Sequence, residues 1–145
     1  MTKHDDDYIN DYFAAGSLNL TPPSVSHTAC VLYAPVSRDP ELSRRCASVL
    51  SGAELQRAEC FARQDDKTLF IQRRAFRRYC GTIVLGSSPR LSQVVFEETK
   101  KGRPWLVDLP GIRFSFSSCR FGFLGAWSST HGIGVDLEDQ TRDLE

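Results

Sequence analysis

The stretch Val94-Val95-Phe96-Glu97-Glu98-Thr99-Lys100-Lys101-Gly102-Arg103-Pro104-Trp105-Leu106-Val107 decides the fold. Two short β-prone runs flank a turn built on Lys-Lys-Gly-Arg-Pro, which is the composition of a hairpin. Further strand-like runs follow at 114–117, 121–127 and 133–138, joined by turns near Cys119-Arg120 and Thr130-His131-Gly132. Upstream the period changes. Ser51-Gly52-Ala53-Glu54 has the form of a capping box, with Leu55, Ala58, Phe61 and Ala62 as the apolar positions of the helix behind it. A second helix is expected to open near Asp65 or Asp66, whose carboxylates favour a helix N-terminus, and to run toward Ile83. Leu69, Phe76, Cys80 and Ile83 would face inward, and residues 86–89, from Gly86 to Pro89, break the pattern. Before these helices, Ala29-Cys30-Val31-Leu32-Tyr33-Ala34 reads as a first strand stopped by Pro35. The expected architecture is α+β, a mainly antiparallel sheet with helices on one face.

A chain of 145 residues is long enough for one domain with a core. The acidic start at Asp5-Asp6-Asp7 and the turn-rich Thr21-Pro22-Pro23-Ser24 read as a flexible leader over 1–27, with the domain proper at 28–145. Eighteen basic and eighteen acidic residues balance to a formal charge of zero, which argues against a general nucleic-acid binder. Five scattered cysteines with no C-x-x-C pair and no secretory signal suit reduced thiols and a cytoplasmic setting. No apolar run approaches the ~20 residues of a membrane span.

Two sets of residues carry chemistry. In Gly134-Val135-Asp136-Leu137-Glu138, alternation turns Val135 and Leu137 to one side and sets two carboxylates on the other. Such a pair suits Mg²⁺ shared with phosphate oxygens and water. It equally suits the charged guard of an edge strand. The second set is basic. Arg73, Arg74, Arg77 and Arg78 crowd neighbouring faces of the second helix, and Arg57, Arg63, Lys100, Lys101 and Arg103 could extend the same positive surface. Arginine forks match phosphate, although arginines whose stems lie along a core give the same pattern.

In order and spacing these pieces resemble the N-terminal half of a 4′-phosphopantetheinyl transferase of the larger, monomeric, two-half type. The resemblance runs from Leu50 to Arg142. It rests on Leu50-Ser51 with Glu54 and Arg57, the Arg74-Ala75-Phe76-Arg77-Arg78 helix end, the Gly-Lys-Pro-like turn at Gly102-Arg103-Pro104, the strand around Ser117, and the Gly-x-Asp-x-Glu strand. It implies an α+β half of a two-half fold. The implied reaction transfers phosphopantetheine from coenzyme A to a carrier-protein serine, with Mg²⁺ on the pyrophosphate and release of 3′,5′-adenosine bisphosphate. Asp136 and Glu138 would be metal ligands, while Arg57, Arg74, Arg103 and Ser117 would bind coenzyme A. The implied partner is an acyl or peptidyl carrier protein.

Several positions depart from the pattern. Arg103 replaces a lysine, which keeps charge but changes donor geometry. Ser118 stands where the family has a phosphate-contacting histidine, and Leu69 where many members have arginine. The family helix carrying a third carboxylate and a catalytic lysine would lie beyond Glu145, so the chain is expected to be truncated and impaired or inactive alone. Three readings follow: a homodimer that rebuilds a site, one half of a split enzyme, or a non-catalytic relic that binds carrier protein or nucleotide. The split reading requires an exposed apolar face, for which Phe121, Phe123, Leu124 and Trp127 are candidates. His131, in a turn, is the remaining imidazole near these motifs.

Overall fold

The structure, a computed structural model, describes residues 3–86, 89–130 and 132–139. Over these residues it is α+β, with four α-helices, a four-stranded antiparallel sheet and a separate two-stranded hairpin. The chain divides into two compact units, one of Met1–Gly16 with Val36–Val94 and the other of Ser17–Pro35 with Val95–Glu145.

The first unit holds the helices. Helix α1 spans Lys3–Gly16, where a flexible leader is expected. Its apolar pair Ile9 and Phe13, four apart and therefore on one face, is fully buried. Phe13 packs edge-on against Phe76 at 5.5 Å between ring centres, and tilted against Tyr79 at 5.3 Å. The acidic run that suggests disorder is put to use: Asp5 pairs with Arg45 at 3.2 Å, and Asp6 accepts the Leu91 N–H at 3.0 Å.

Helix α2 spans Pro40–Val49 and was not expected from the sequence; Asp39 caps it by accepting the Glu41 N–H, with Pro40 at its first turn. Helix α3, Gly52–Glu59, carries the expected capping box in both directions between Ser51 and Glu54. Its inward face is narrower than expected. Ala58 is buried, whereas Leu55, Phe61 and Ala62 are exposed.

Helix α4, Gln64–Leu85, closes on Gly86, whose φ of 68° is the left-handed conformation that ends a helix without a Cβ clash. Asp65 and Asp66 lie in its first turn as expected. Phe76 and Cys80 are buried, but Ile83 is 47% exposed and the stripe runs instead through Phe70, Ile71 and Ala75. Gln72, also buried, donates to the Ser37 carbonyl and the Ser43 hydroxyl and accepts the Ser37 N–H, so none of its polarity is wasted.

The second unit holds the strands. In the four-stranded sheet the order is β1 (Leu18–Asn19), β2 (Ala29–Pro35), β6 (Gly122–Ser128) and β5 (Arg113–Cys119), each pair antiparallel. The register sets Ala29 opposite Ser128 and Arg113 opposite Ser128, so β6 is flanked along its whole length. Every residue of β6 is buried. Phe123, Leu124 and Trp127 are therefore core, and of the four residues considered for a docking face only Phe121 is exposed, beneath the Arg120 guanidinium at 4.8 Å.

The expected hairpin is present as β3 (Phe96–Glu98) and β4 (Pro104–Leu106). Val94 precedes it and belongs to the helical unit. Residues 132–139 are the main local surprise. They keep the expected alternation, with Val135 and Leu137 half-buried and Asp136 and Glu138 exposed, but they form no strand.

Candidate functional site

In the strand unit the β3–β4 turn is closed by three bonds on Thr99 and Arg103. The Thr99 N–H donates to the Arg103 carbonyl at 2.9 Å, the Gly102 N–H to the Thr99 carbonyl at 2.8 Å, and the Arg103 N–H to the Thr99 hydroxyl at 3.1 Å. Gly102 takes φ 81°, open to glycine and costly to other residues. This fixed turn holds Lys100, Lys101 and Arg103 at the surface. They line an open cleft of about 710 Å³ together with Phe114, Ser115, Phe116, Ile133 and Gly134. Phe114 and Phe116 stack at 5.7 Å, and Phe96 meets both edge-on. A positive rim beside the half-buried Phe116 ring offers an anionic ligand charge together with an apolar contact.

The acidic segment begins in that cleft, at Gly134, and continues along β5. Its backbone is held by side chains. The Val135 N–H donates to the Ser115 hydroxyl at 3.1 Å and the Leu137 N–H to the Ser117 hydroxyl at 3.0 Å. Ser117 in turn donates to Asp136 Oδ1 at 3.3 Å. Asp139 pairs with Arg120 at 2.6 Å and fastens the far end. Serines 115 and 117 share one face of β5, so their two-residue period matches the period of the amides they receive.

The donor set at Asp136 and Glu138 is two exposed carboxylates, hard oxygen ligands of the number that Mg²⁺ takes from protein when phosphate and water complete its shell. The residues present fit such an ion. Among the described residues no group of three His, Cys, Asp or Glu is placed to hold a metal by itself.

In the helical unit, Arg57, Arg73 and Arg74 surround the buried Phe70 ring, with guanidinium carbons 5.5, 5.4 and 5.2 Å from its centre. Arg57 is exposed, whereas Arg74 lies 3.9 Å from Glu54. Arg78 is a structural residue. It is buried, donates to the Leu91 and Val94 carbonyls at 3.1 and 2.8 Å and to Ser92 at 3.4 Å, and forms an ion pair with Glu54. The Glu54 carboxyl is pushed up by burial but pulled down further by the Ser51 N–H and by Arg78 and Arg74, so it titrates below the usual glutamate range.

The sequence thus finds residues that the structure places in two groups: Arg57 and Arg74 on helices of one unit, and Arg103, Ser117, Asp136 and Glu138 in the other. Ser115 is the residue that sequence reasoning missed. Its position two before Ser117 on one strand face is the signal that could have found it. Ser118 is half-buried on β5, while His131 and Arg142 lie outside the described residues. No protein-family model matches the sequence, and no curated protein matches it either.

Proposed function

We propose that this chain is a 4′-phosphopantetheinyl transferase-like protein that binds coenzyme A through its phosphates and, with Ser118 where the family has histidine, transfers phosphopantetheine slowly or not at all by itself. The observation that carries the reading is the cleft in which Lys100, Lys101 and Arg103 face the start of the Gly134–Glu138 motif. Phosphate drawn to those cations lies in the same unit as two carboxylates suited to Mg²⁺.

In this reading Arg103 orients a phosphate by its planar fork, and the half-buried Phe116 ring gives the nucleotide an apolar contact. Asp136 and Glu138 would hold Mg²⁺, which when bound supplies charge stabilisation to the pyrophosphate as it becomes a leaving group. Ser118 has no group able to carry positive charge, so it offers less to a phosphate than the histidine it replaces. That substitution also favours the second reading, a binder of coenzyme A or carrier protein without turnover.

Incubation of the full chain with an apo carrier protein, coenzyme A and Mg²⁺, followed by intact-mass measurement, tests transfer. Any phosphopantetheine adduct should require Mg²⁺ and fall at least tenfold in Asp136→Ala. An adduct formed equally without metal or by Asp136→Ala would remove the assignment. Absence of adduct together with Mg²⁺-dependent coenzyme A binding would select the binder.

A further inference from the structure

The Ser117 hydroxyl lies 3.3 Å from Asp136 Oδ1, placed to donate its one proton there, while its oxygen accepts the Leu137 N–H at 3.0 Å. We propose that Ser117 is a positioning residue for the Asp136 carboxylate toward a divalent cation, and that it is not a donor to nucleotide phosphate. The inference rests on the reading of Asp136 and Glu138 as ligands of Mg²⁺.

The geometry supports this division of labour. Residues 132–139 have no strand ladder to fix their register, so the amides on either side of Asp136 depend on hydroxyls of β5. Ser115 receives the amide before Asp136 and Ser117 the amide after it. Of the two serines, Ser117 also reaches the carboxylate, at 3.3 Å, a long contact for a hydroxyl donor and hence a loose tether. One Asp136 oxygen is thereby oriented and the other stays available. A hydroxyl that orients a ligating carboxylate typically governs metal affinity by about ten-fold or more. If Ser117 turned its proton to a phosphate it would release Asp136, so the two roles compete for one hydrogen.

The experiment measures Mn²⁺ binding to the full chain by electron paramagnetic resonance without coenzyme A, and coenzyme A binding by calorimetry without metal. Ser117→Ala should weaken Mn²⁺ about ten-fold and leave metal-free coenzyme A affinity within about two-fold. Ser117→Thr, which keeps the hydroxyl, should restore Mn²⁺ binding. Ser115→Ala should speed amide exchange at Val135 with Mn²⁺ affinity near that of the parent. Weakened coenzyme A binding with unchanged Mn²⁺ affinity in Ser117→Ala would overturn the inference and return Ser117 to the phosphate. If the parent binds coenzyme A but not Mn²⁺, the positioning role falls and the nucleotide reading stands; if it binds neither, both fall.

Discussion

Arg78 shows how one residue type carries opposite meanings along a single helix. Its sequence neighbours Arg73, Arg74 and Arg77 suggest an anion site, yet Arg78 is spent on three backbone carbonyls and Glu54. Removing it leaves those carbonyls and a carboxylate without their buried cation, so Arg78→Ala should lower unfolding free energy by about 3–5 kcal/mol in urea titrations. Loss of less than about 1 kcal/mol would mean that water takes its place. Glu54 adds a pH dependence. Because its folded pKa lies below the ordinary value, its contribution is complete above about pH 4.5 and disappears as pH falls through the lowered value. Stability of the parent should therefore drop on acidification below that point, with a shallower slope in Glu54→Gln. Identical slopes would show that the Glu54–Arg78 pair does not couple to acid unfolding. No sequence pattern separates Arg78 from its neighbours, since the spacing that places it on the helix says nothing about which carbonyls the turn at residues 91–94 will present.

At the level of elements, legibility followed local chemistry. The α3 capping box and the β3–β4 hairpin were readable because the atoms that fix them lie within a few residues of one another. Helix α1 was hidden because its acidic first turn resembles a solvated leader, while two of the acids find partners far along the chain, Asp5 at Arg45 and one Asp6 oxygen at the Leu91 N–H. Phe13→Ala should cost about 3–5 kcal/mol, because Phe13 fills a fully buried position against Phe76 and Tyr79. A change near zero would restore the view of residues 1–27 as a leader. In residues 132–139 the alternation was legible, as it depends on extended backbone alone. The mode of attachment was not, because period two does not tell whether an amide meets a carbonyl or a serine hydroxyl.

At the scale of the molecule, each unit is assembled from two separate stretches of chain. The α+β composition and antiparallel pairing were nonetheless readable, since helical and strand periods occupy different stretches of sequence. None of the five cysteines forms a disulfide, and burial holds the Cys46 thiol up at about 12. Among the described residues no helix is long and apolar enough to cross a membrane. The most direct test of the functional account is calorimetric titration of the full chain with coenzyme A, with and without Mg²⁺, beside Arg103→Gln and Asp136→Ala. The account predicts saturable binding that Mg²⁺ strengthens, that Arg103→Gln weakens in both conditions, and whose Mg²⁺ enhancement Asp136→Ala abolishes. No binding under either condition, or binding that neither substitution changes, would contradict it.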